Sequence, residues 1–387
     1  MNKKPILPGA TLGVMGGGQL GRMFVQAAQS MGYFSAVLDA DPTSPAGLVA
    51  HYHIATDYLD EQGLAQLMQR SAAITTEFEN VPAGALVTLG AHRPVAPGAD
   101  AVATCQNRAA EKAEFRRCGV PCAPYALIDS AERLVAVPDN LLPGILKTNR
   151  LGYDGKGQVR VADRAALATA WQQLGQVACV LEQQLALALE LSVVVARGAD
   201  GQLARLPVQQ NLHRDGILAV TQVPAPDAPA ALQRQAGDAA AALAEAMAYV
   251  GVLCVEFFVL TDGRLVANEM APRPHNSGHW SIDGADISQF GLQVRALTGL
   301  PLLSPRQHSA AVMLNLLGDL WFAGGGGEKA PPWDAVLALA GVHLHLYGKS
   351  SPRPGRKMGH LTVTAATPQA ARATALQAAA LLGLPAF

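Results

Sequence analysis

Two glutamates on either side of a predicted β-hairpin are the residues whose types and spacing most strongly indicate chemistry. Glu256 lies in the apolar run 252–260 and Glu269 in the run 265–270, with Thr261-Asp262-Gly263-Arg264 between the runs. Asp-Gly between two β-rich runs is typical of a two-residue hairpin loop, because both loop residues must tolerate positive φ. A loop of this kind places Glu256 directly opposite Glu269.

Two carboxylates facing each other across strands destabilise a sheet unless one is protonated or a cation lies between them. With apolar neighbours on both strands, the pair favours a hard divalent ion that takes oxygen ligands, typically Mg²⁺ carrying a nucleotide phosphate. The alternative is a register shifted by one residue, which would leave one glutamate in solvent.

The loop after the hairpin, Ala271-Pro272-Arg273-Pro274-His275-Asn276-Ser277-Gly278-His279-Trp280, is rich in polar side chains. Its two prolines stiffen the backbone. Arg273 and His275 therefore lie in a rigid segment beside the predicted metal pair. Such an arrangement suits a small anionic substrate.

Two other segments have the composition of phosphate-binding loops. The stretch 151–158 holds three glycines, whose amides can approach phosphates, and Lys147 and Lys156 add charge. It lacks the G-x-x-x-x-G-K-[ST] pattern, so it is not a P-loop, and an ordinary hairpin turn is the alternative. The stretch 349–357 has four cations and two prolines, which suits a phosphate monoester, and a solvated basic loop is the alternative.

The elements at the start of the chain resemble a dinucleotide-binding βαβ unit. A short apolar strand at 11–15 precedes glycines spaced G-x-G-x-x-G at 16–21, a periodic helix follows, and a second strand ends at Asp39. The pattern fits NAD, with Asp39 on a ribose, but it also fits a glycine turn that packs helix on strand or approaches another ligand. Glu77 is expected near the carboxyl end of a later parallel strand at 72–79, where open α/β sheets bind ligands.

Composition limits the class of protein. The chain has 387 residues, half of them hydrophobic and 15% charged, which predicts a soluble globular α/β protein of two or three domains. A formal charge of −1 argues against nucleic-acid binding through bulk electrostatics. No apolar run reaches membrane-spanning length, and the N-terminus has no apolar signal core. Five scattered cysteines form neither a disulfide framework nor a zinc pattern, so we expect a reduced, cytoplasmic location.

Taken together, the segments resemble the ATP-grasp superfamily, and within it the N5-carboxyaminoimidazole ribonucleotide synthetase family. The most specific pieces are 152–158, 211–218 and 271–280, and the resemblance extends from 16–23 to 354–360. It implies an α/β ATP-grasp fold with a Rossmann-like pre-ATP-grasp domain at 1–105, an ATP-grasp region at 106–305 and a small C-terminal domain at 306–387. The lid subdomain is expected at roughly 120–185, and the basic loop belongs to the last domain.

The resemblance also implies roles for individual residues, which are grouped here by ligand. ATP is expected to contact Arg108, Lys147, Gly152, Tyr153, Asp154, Gly155, Lys156, Gly157, Gln158, Glu182, Gln183, Gln184, Leu185, Glu190, His213, Asn268 and Glu269. Mg²⁺ is expected on Glu256 and Glu269. The ribonucleotide and bicarbonate are expected to contact Gln19, Glu77, Asn276, Ser277, Lys349, Arg356 and Lys357. The catalytic set is Tyr153, Asp154, Arg273 and His275, with Asp154 or His275 as proton acceptor.

One position beside the metal pair differs from many superfamily members. These members have an asparagine two residues after the second glutamate, where this chain has Ala271. In a regular strand Asn268 points to the opposite face of the sheet from Glu269.

The implied reaction begins with bicarbonate attacking the γ-phosphate of ATP to give carboxyphosphate. Carboxyphosphate yields CO₂ in a closed site, and the exocyclic amine of 5-aminoimidazole ribonucleotide captures it. The resemblance further implies a homodimer, and transfer of a labile product to a mutase is a hypothesis that goes beyond the resemblance. The competing interpretations are a formate-activating or biotin-carboxylating ATP-grasp relative, an NAD-dependent oxidoreductase, and a non-catalytic ATP-binding regulator.

Overall fold

The N-terminal part of the chain forms a parallel sheet. The computed structural model describes residues 4–152, 157–323 and 327–387. The four strands of this sheet lie in the order β3-β2-β1-β4, and every pairing is parallel. The βαβ opening expected from the sequence is confirmed. The elements are β1 (Thr11–Met15), α1 (Gln19–Ser30), β2 (Phe34–Leu38), β3 (Tyr52–Ile54), α2 (Glu61–Arg70), β4 (Ala73–Thr76), α3 (Ala83–Gly90) and α4 (Ala99–Cys105).

A smaller antiparallel sheet follows, in the order β5-β8-β6-β7. Its core is built by apolar side chains such as Leu146, Leu181 and Trp171, which pack the sheet against α7. The elements are α5 (Arg108–Arg117), β5 (Tyr125–Ile128), α6 (Ala131–Val135), β6 (Gly144–Thr148), β7 (Gln158–Val161), α7 (Arg164–Gln173) and β8 (Cys179–Gln183).

The largest sheet is antiparallel and runs β14-β13-β9-β11-β12-β15-β17-β16, with β10 paired to β9. The C-terminal strands continue this sheet instead of forming one of their own. The elements are β9 (Leu187–Arg197), β10 (Leu203–Arg205), β11 (Gln209–Arg214), β12 (Ile217–Val223), α8 (Ala230–Ala246), β13 (Gly251–Leu260), β14 (Leu265–Ala271), α9 (Ser281–Gly284), α10 (Gln289–Thr298), β15 (Ala310–Leu317), α11 (Trp333–Leu337), β16 (Val342–Leu346), β17 (Lys357–Ala365) and α12 (Pro368–Leu381).

Helix α10 joins the parallel sheet to the large sheet. Its apolar side chains pack in one core with those of α1. The buried side-chain amide of Gln293 bonds to both sheets. Its Oε1 accepts from the Val252 amide of β13 at 2.6 Å, and its Nε2 donates to Thr75 Oγ1 of β4 at 2.9 Å. The glycine loop before α1 is therefore held in a fixed place relative to the glutamate hairpin.

The large-scale features match the expected α/β class. All five cysteines are free thiols. In the part of the chain that the structure describes, no helix is both long and apolar enough to span a membrane.

Candidate active site

The hairpin places Glu256 directly opposite Glu269, as the sequence predicted. The predicted two-residue loop, however, is wrong. Leu260 and Arg264 close the turn through a 2.8 Å backbone hydrogen bond, so three residues form the loop, and Phe257 lies opposite Ala267. A β-bulge between these two pairs inserts one extra residue and restores the opposition of the two glutamates.

The extra residue of the bulge is Asn268, and the prediction that it points to the opposite face is wrong. Its side chain makes a hydrogen bond to Glu256. Its Oδ1 atom is buried and has no hydrogen-bond partner among the described residues. The bulge therefore brings an amide oxygen to the side of the two carboxylates, which a regular strand could not do.

The two carboxylates form an electrostatically unfavourable pair. Burial, followed by the charge of Glu269, raises the pKa of Glu256 to about 7. Arg108 Nη1 lies 3.4 Å from Glu269 Oε2, and His275 Nε2 lies 3.6 Å from Glu256 Oε1. Two carboxylates and a buried amide oxygen are hard ligands that suit a divalent cation. Within the described ranges, no group of three or more histidine, cysteine, aspartate or glutamate side chains is placed to hold a metal, so such a cation would also need ligands from phosphate or water.

Arg273 and His275 lie beside this pair, as the rigid loop predicted. Arg273 forms a close ion pair with Glu79, which raises the pKa of the guanidinium despite burial and lowers that of the carboxyl. Burial, followed by the charge of Arg273, keeps the pKa of His275 well below its usual range, so the ring is neutral. Asn276 is buried, and neither polar atom of its side chain has a partner in the described structure. A small anion therefore meets one cation, one neutral imidazole and one uncommitted amide.

A chain of hydroxyl groups orients the His275 ring. The Ser192 hydroxyl donates to Ser277 Oγ at 2.8 Å, and Ser277 Oγ lies 2.9 Å from His275 Nδ1. The Ser277 amide also donates to Nδ1, at 3.4 Å. Nδ1 therefore accepts, and the ring proton lies on Nε2, which faces Glu256. Ser277 was expected to contact substrate, but it is fully buried and does not line the cavity described below.

Lys147 and Glu182 form a buried ion pair with a second lysine. Lys147 Nζ lies 3.0 Å from Glu182 Oε2, and Lys112 Nζ lies 3.2 Å from Oε1. The two ammonium groups outweigh the cost of burial and lower the pKa of Glu182 to about 2. The Glu182 carboxylate is thus engaged by these two lysines. Lys147 lies opposite Gln158 across β6 and β7, at the end of the glycine-containing stretch 151–158.

The segment 182–185, expected to contact ATP, begins in β8, and this strand has no free edge. β8 pairs with β5 on one side and β6 on the other, so it is an internal strand. The amides of Gln183 and Gln184 donate to the carbonyls of Pro124 and Pro143, each at 2.9 Å. Backbone groups for a purine base would have to come from the segment past the strand, at Leu185.

Glu190 and His213 were both expected at the nucleotide, and the structure brings them into direct contact. Burial lowers the pKa of His213, but the hydrogen bond to Glu190 and the charges of Glu256 and Glu269 raise it more. The pKa of His213 is thus raised above its ordinary value by carboxylates that include the glutamate pair. Glu190 lines a cavity of about 660 Å³ whose lining residues do not include Glu269.

The glycine loop binds carboxylates of its own chain. Gly17 donates to Asp39 Oδ2 at 2.7 Å, and Gly18 and Gly21 donate to the two oxygens of Glu77 at 3.0 and 3.2 Å. In a dinucleotide-binding domain these amides and the helix N-terminus bind the pyrophosphate. Here the position is already taken by negative side chains, which argues against the NAD interpretation.

A cavity of about 590 Å³ is lined by residues from three loops of the site. The glycine loop, the rigid loop after the hairpin and the basic loop between β16 and β17 all contribute to its wall. Among the expected site residues it is lined by Gln19, Glu77, Arg108, Gly152, Glu269, Arg273, His275, Asn276, Lys349, Arg356 and Lys357. Tyr153, Asp154, Gly155 and Lys156 lie outside the described residues, whereas Gly157 and Gln158 are described at the start of β7.

Sequence reasoning missed three buried residues that support this site. Glu111 accepts from the Met270 amide at 2.5 Å, Lys112 donates to the Asn268 carbonyl at 2.8 Å, and Gln289 bonds both backbone groups of His275. Glu111 and Lys112 lie three and four positions after Arg108, so they share its helix face. The spacing could have indicated that the three residues share a helix face. It could not identify their contacts at 268–270, which are remote in the sequence.

Comparison with known proteins agrees with this geometry. Residues 9–106 match the ribonucleotide synthetase preATP-grasp domain, 113–290 the ATP-grasp domain, and 311–374 the phosphoribosylaminoimidazole carboxylase C-terminal domain. The N5-carboxyaminoimidazole ribonucleotide synthase of Brucella melitensis is 44% identical over 369 residues, covering 94% of this chain and 98% of the relative.

Solved structures give the same result over nearly the whole chain. The N5-carboxyaminoimidazole synthetase of Staphylococcus aureus complexed with ADP superimposes with a TM-score of 0.89 at 37% identity, covering 98% of this chain and 99% of that one. The synthase of Aspergillus clavatus in complex with ADP and 5-aminoimidazole ribonucleotide gives a TM-score of 0.87 at 29% identity, with 97% and 98% covered. From these matches, the chain belongs to the N5-carboxyaminoimidazole ribonucleotide synthase family of ATP-grasp ligases.

Proposed function

We propose that this chain carboxylates the exocyclic amine of 5-aminoimidazole ribonucleotide, using ATP and bicarbonate, inside the cleft between the three sheets. The products are N5-carboxyaminoimidazole ribonucleotide, ADP and phosphate. The observation that carries the proposal is the cavity in which Glu269, the Arg273–His275–Asn276 loop and the basic loop meet. Family membership supplies the reaction class, an ATP-dependent carbon–nitrogen ligase of purine biosynthesis.

The ATP phosphates are assigned to Arg108 and Lys147, and His213 lies near enough to Glu256 and Glu269 for their charges to raise its pKa. Glu256, Glu269 and the Asn268 amide oxygen are the ligands that fit Mg²⁺, which when bound neutralises charge on the transferred phosphoryl group. Because Glu182 is engaged by two lysines, its segment contributes backbone groups to the adenine, from the end of β8 onwards.

Bicarbonate is assigned to Arg273, His275 and Asn276. The guanidinium provides hydrogen-bond donors for the anion, and its pairing with Glu79 fixes it in place. The neutral His275 carries its proton on Nε2, so its ring is suited to donate a hydrogen bond and not to accept a proton. Of the two candidate proton acceptors, this favours Asp154. The reaction requires that water be kept from these groups while ligands are bound, because water would hydrolyse carboxyphosphate.

The ribonucleotide is assigned to the opposite end of the cavity. Its phosphate meets Lys349, Arg356 and Lys357, and its base or sugar meets Gln19 at the N-terminus of α1. Glu77 lines the same wall, but both of its oxygens are bonded to the glycine loop. We therefore assign Glu77 a role in fixing the loop that presents Gln19.

The proposal is tested by tracing a bicarbonate oxygen into the phosphate released. If bicarbonate attacks the γ-phosphate, one bicarbonate oxygen must end in the phosphate released. Bicarbonate labelled with heavy oxygen should transfer one label per turnover, measured by the mass of phosphate before exchange with water removes the label. A kinase acting on the ribonucleotide, or a hydrolase using water, would place no such label in phosphate, so unlabelled phosphate during rapid turnover would refute the proposal.

A further inference from the structure

Helix α5 presents three charged residues to the edge strand of the large sheet. Arg108, Glu111 and Lys112 are spaced i, i+3 and i+4, and all three contact the segment 268–270 of β14. Lys112 is completely buried. A buried lysine is costly unless it is paired and hydrogen-bonded, so its position indicates a specific task.

The first contact of Lys112 holds the bulge of the glutamate hairpin. β14 is the edge of its sheet, so the outward backbone groups on either side of Glu269 pair with no strand in the described part of the chain. Lys112 donates to the carbonyl of Asn268 at 2.8 Å, and Glu111 accepts from the amide of Met270 at 2.5 Å. These bonds fix the backbone on both sides of Glu269, at the bulge that sets Glu256 opposite it.

The second contact of Lys112 lies in the smaller sheet. Its ammonium group is 3.2 Å from Glu182 Oε1, and Lys147 is 3.0 Å from Oε2 of the same carboxylate. Two cations thus share one anion, and the cluster keeps a net positive charge. Without Lys112, the carboxylate would neutralise Lys147 alone.

We propose that Lys112 is a positioning residue that acts on both halves of the ATP site. Through Asn268 it fixes the metal-binding bulge, and through Glu182 it keeps positive charge available on Lys147 for the phosphates. The inference rests on the proposed assignment of Lys147 to the phosphates and of Glu269 to Mg²⁺.

Lys112→Met separates this role from simple packing. We expect the KM for ATP and the half-saturating concentration of free Mg²⁺ each to rise at least about 10-fold, because the substitution removes one charge-assisted interaction on each side. The KM for 5-aminoimidazole ribonucleotide should stay within about twofold, since the basic loop is untouched.

The double variant Lys112→Met with Glu182→Gln gives the decisive measurement. The single variant keeps the neutral Lys147–Glu182 pair and should fold, whereas the double variant leaves buried Lys147 without its carboxylate, so its folding is verified by urea unfolding in the presence of ATP. Lys147 is no longer neutralised, so the KM for ATP should return to near the wild-type value. The Mg²⁺ requirement should stay raised, because the bond to Asn268 is still absent.

Three results discriminate between the explanations. If Lys112 only stabilises the fold, the double variant will not recover ATP binding, and the inference is overturned. It is equally overturned if neither variant changes the ATP or Mg²⁺ dependence. Lys147→Met is the control for the assignment of Lys147 to the ATP phosphates. An unchanged KM for ATP in this variant would refute that assignment, and this result can be told apart from a failure of the proposal for Lys112.

Discussion

Replacing Glu269 by glutamine should abolish turnover without unfolding the protein. The carboxylate faces Glu256 across the hairpin, where the two charges repel in the absence of a cation. Removing one of them relieves that repulsion, yet it also removes one of the two charged ligands that suit Mg²⁺. Activity is therefore expected to fall while folding stability does not.

The structure sets the size of both effects. The pKa of Glu256 rises from 4.5 to about 7, which costs at most about 3 kcal/mol at neutral pH, and burial accounts for the larger share. The ion pair between Glu269 and Arg108 spans 3.4 Å and is partly exposed, so its removal costs about 0–1 kcal/mol. Folding stability should stay level or rise slightly. Removing a metal ligand should cost about 4 kcal/mol in the transition state, or about 10³-fold in kcat.

The assay is steady-state turnover with all substrates and Mg²⁺ saturating, together with urea unfolding in the absence of Mg²⁺. Glu245→Gln provides the matched control, because Glu245 is exposed on α8 and the chemical change is the same. Turnover of the Glu269 variant within threefold of wild type at saturating Mg²⁺ would refute the metal assignment. A loss of stability above that of the control would refute the repulsion argument.

Two further substitutions test other parts of the cavity. Arg356→Ala should lower kcat/KM for the ribonucleotide by about 10- to 150-fold and leave the KM for ATP unchanged. The control is Arg353→Ala, at an exposed arginine of the same loop. An equal effect on the KM for ATP would place the basic loop at the triphosphate instead. Glu79→Gln should lower the free energy of unfolding in urea by about 1.5–3 kcal/mol, because it removes the charged partner of the largely buried Arg273 side chain. Glu114→Gln, which breaks an ion pair to an exposed arginine, should cost less than about 1 kcal/mol, and equal losses would contradict the argument from burial.

The hairpin illustrates how a correct prediction can rest on an incomplete reason. The sequence correctly predicted two strands and the opposition of Glu256 and Glu269. It predicted a two-residue loop, whereas the loop has three residues and the bulge at Asn268 compensates for the shift. Turn chemistry is local and can be read from neighbours, but the bulge is fixed by Lys112 and Glu111, which belong to a distant helix.

For the glycine loop before α1, the sequence predicted the local structure but not the groups that the loop binds. Its spacing predicted the strand, the turn and the helix that the structure contains, yet left open which ligand its amides bind. The answer is the pair Asp39 and Glu77, and Glu77 is 59 residues from Gly18. No local pattern reports a partner at that separation, because the contact depends on β4 pairing beside β1.

The sequence by itself determined the parts that depend on short-range physics: the strands and helices, the stiff loop carrying Arg273 and His275, and the cluster of basic residues before β17. Only the tertiary structure decided how buried charges are shared among these parts. It committed Glu182 to two lysines, Glu79 to Arg273 and the hydroxyl of Ser277 to His275. Such choices follow from the requirement that every buried charge and hydrogen-bonding group find a partner, and the partners become neighbours only when the sheets pack together.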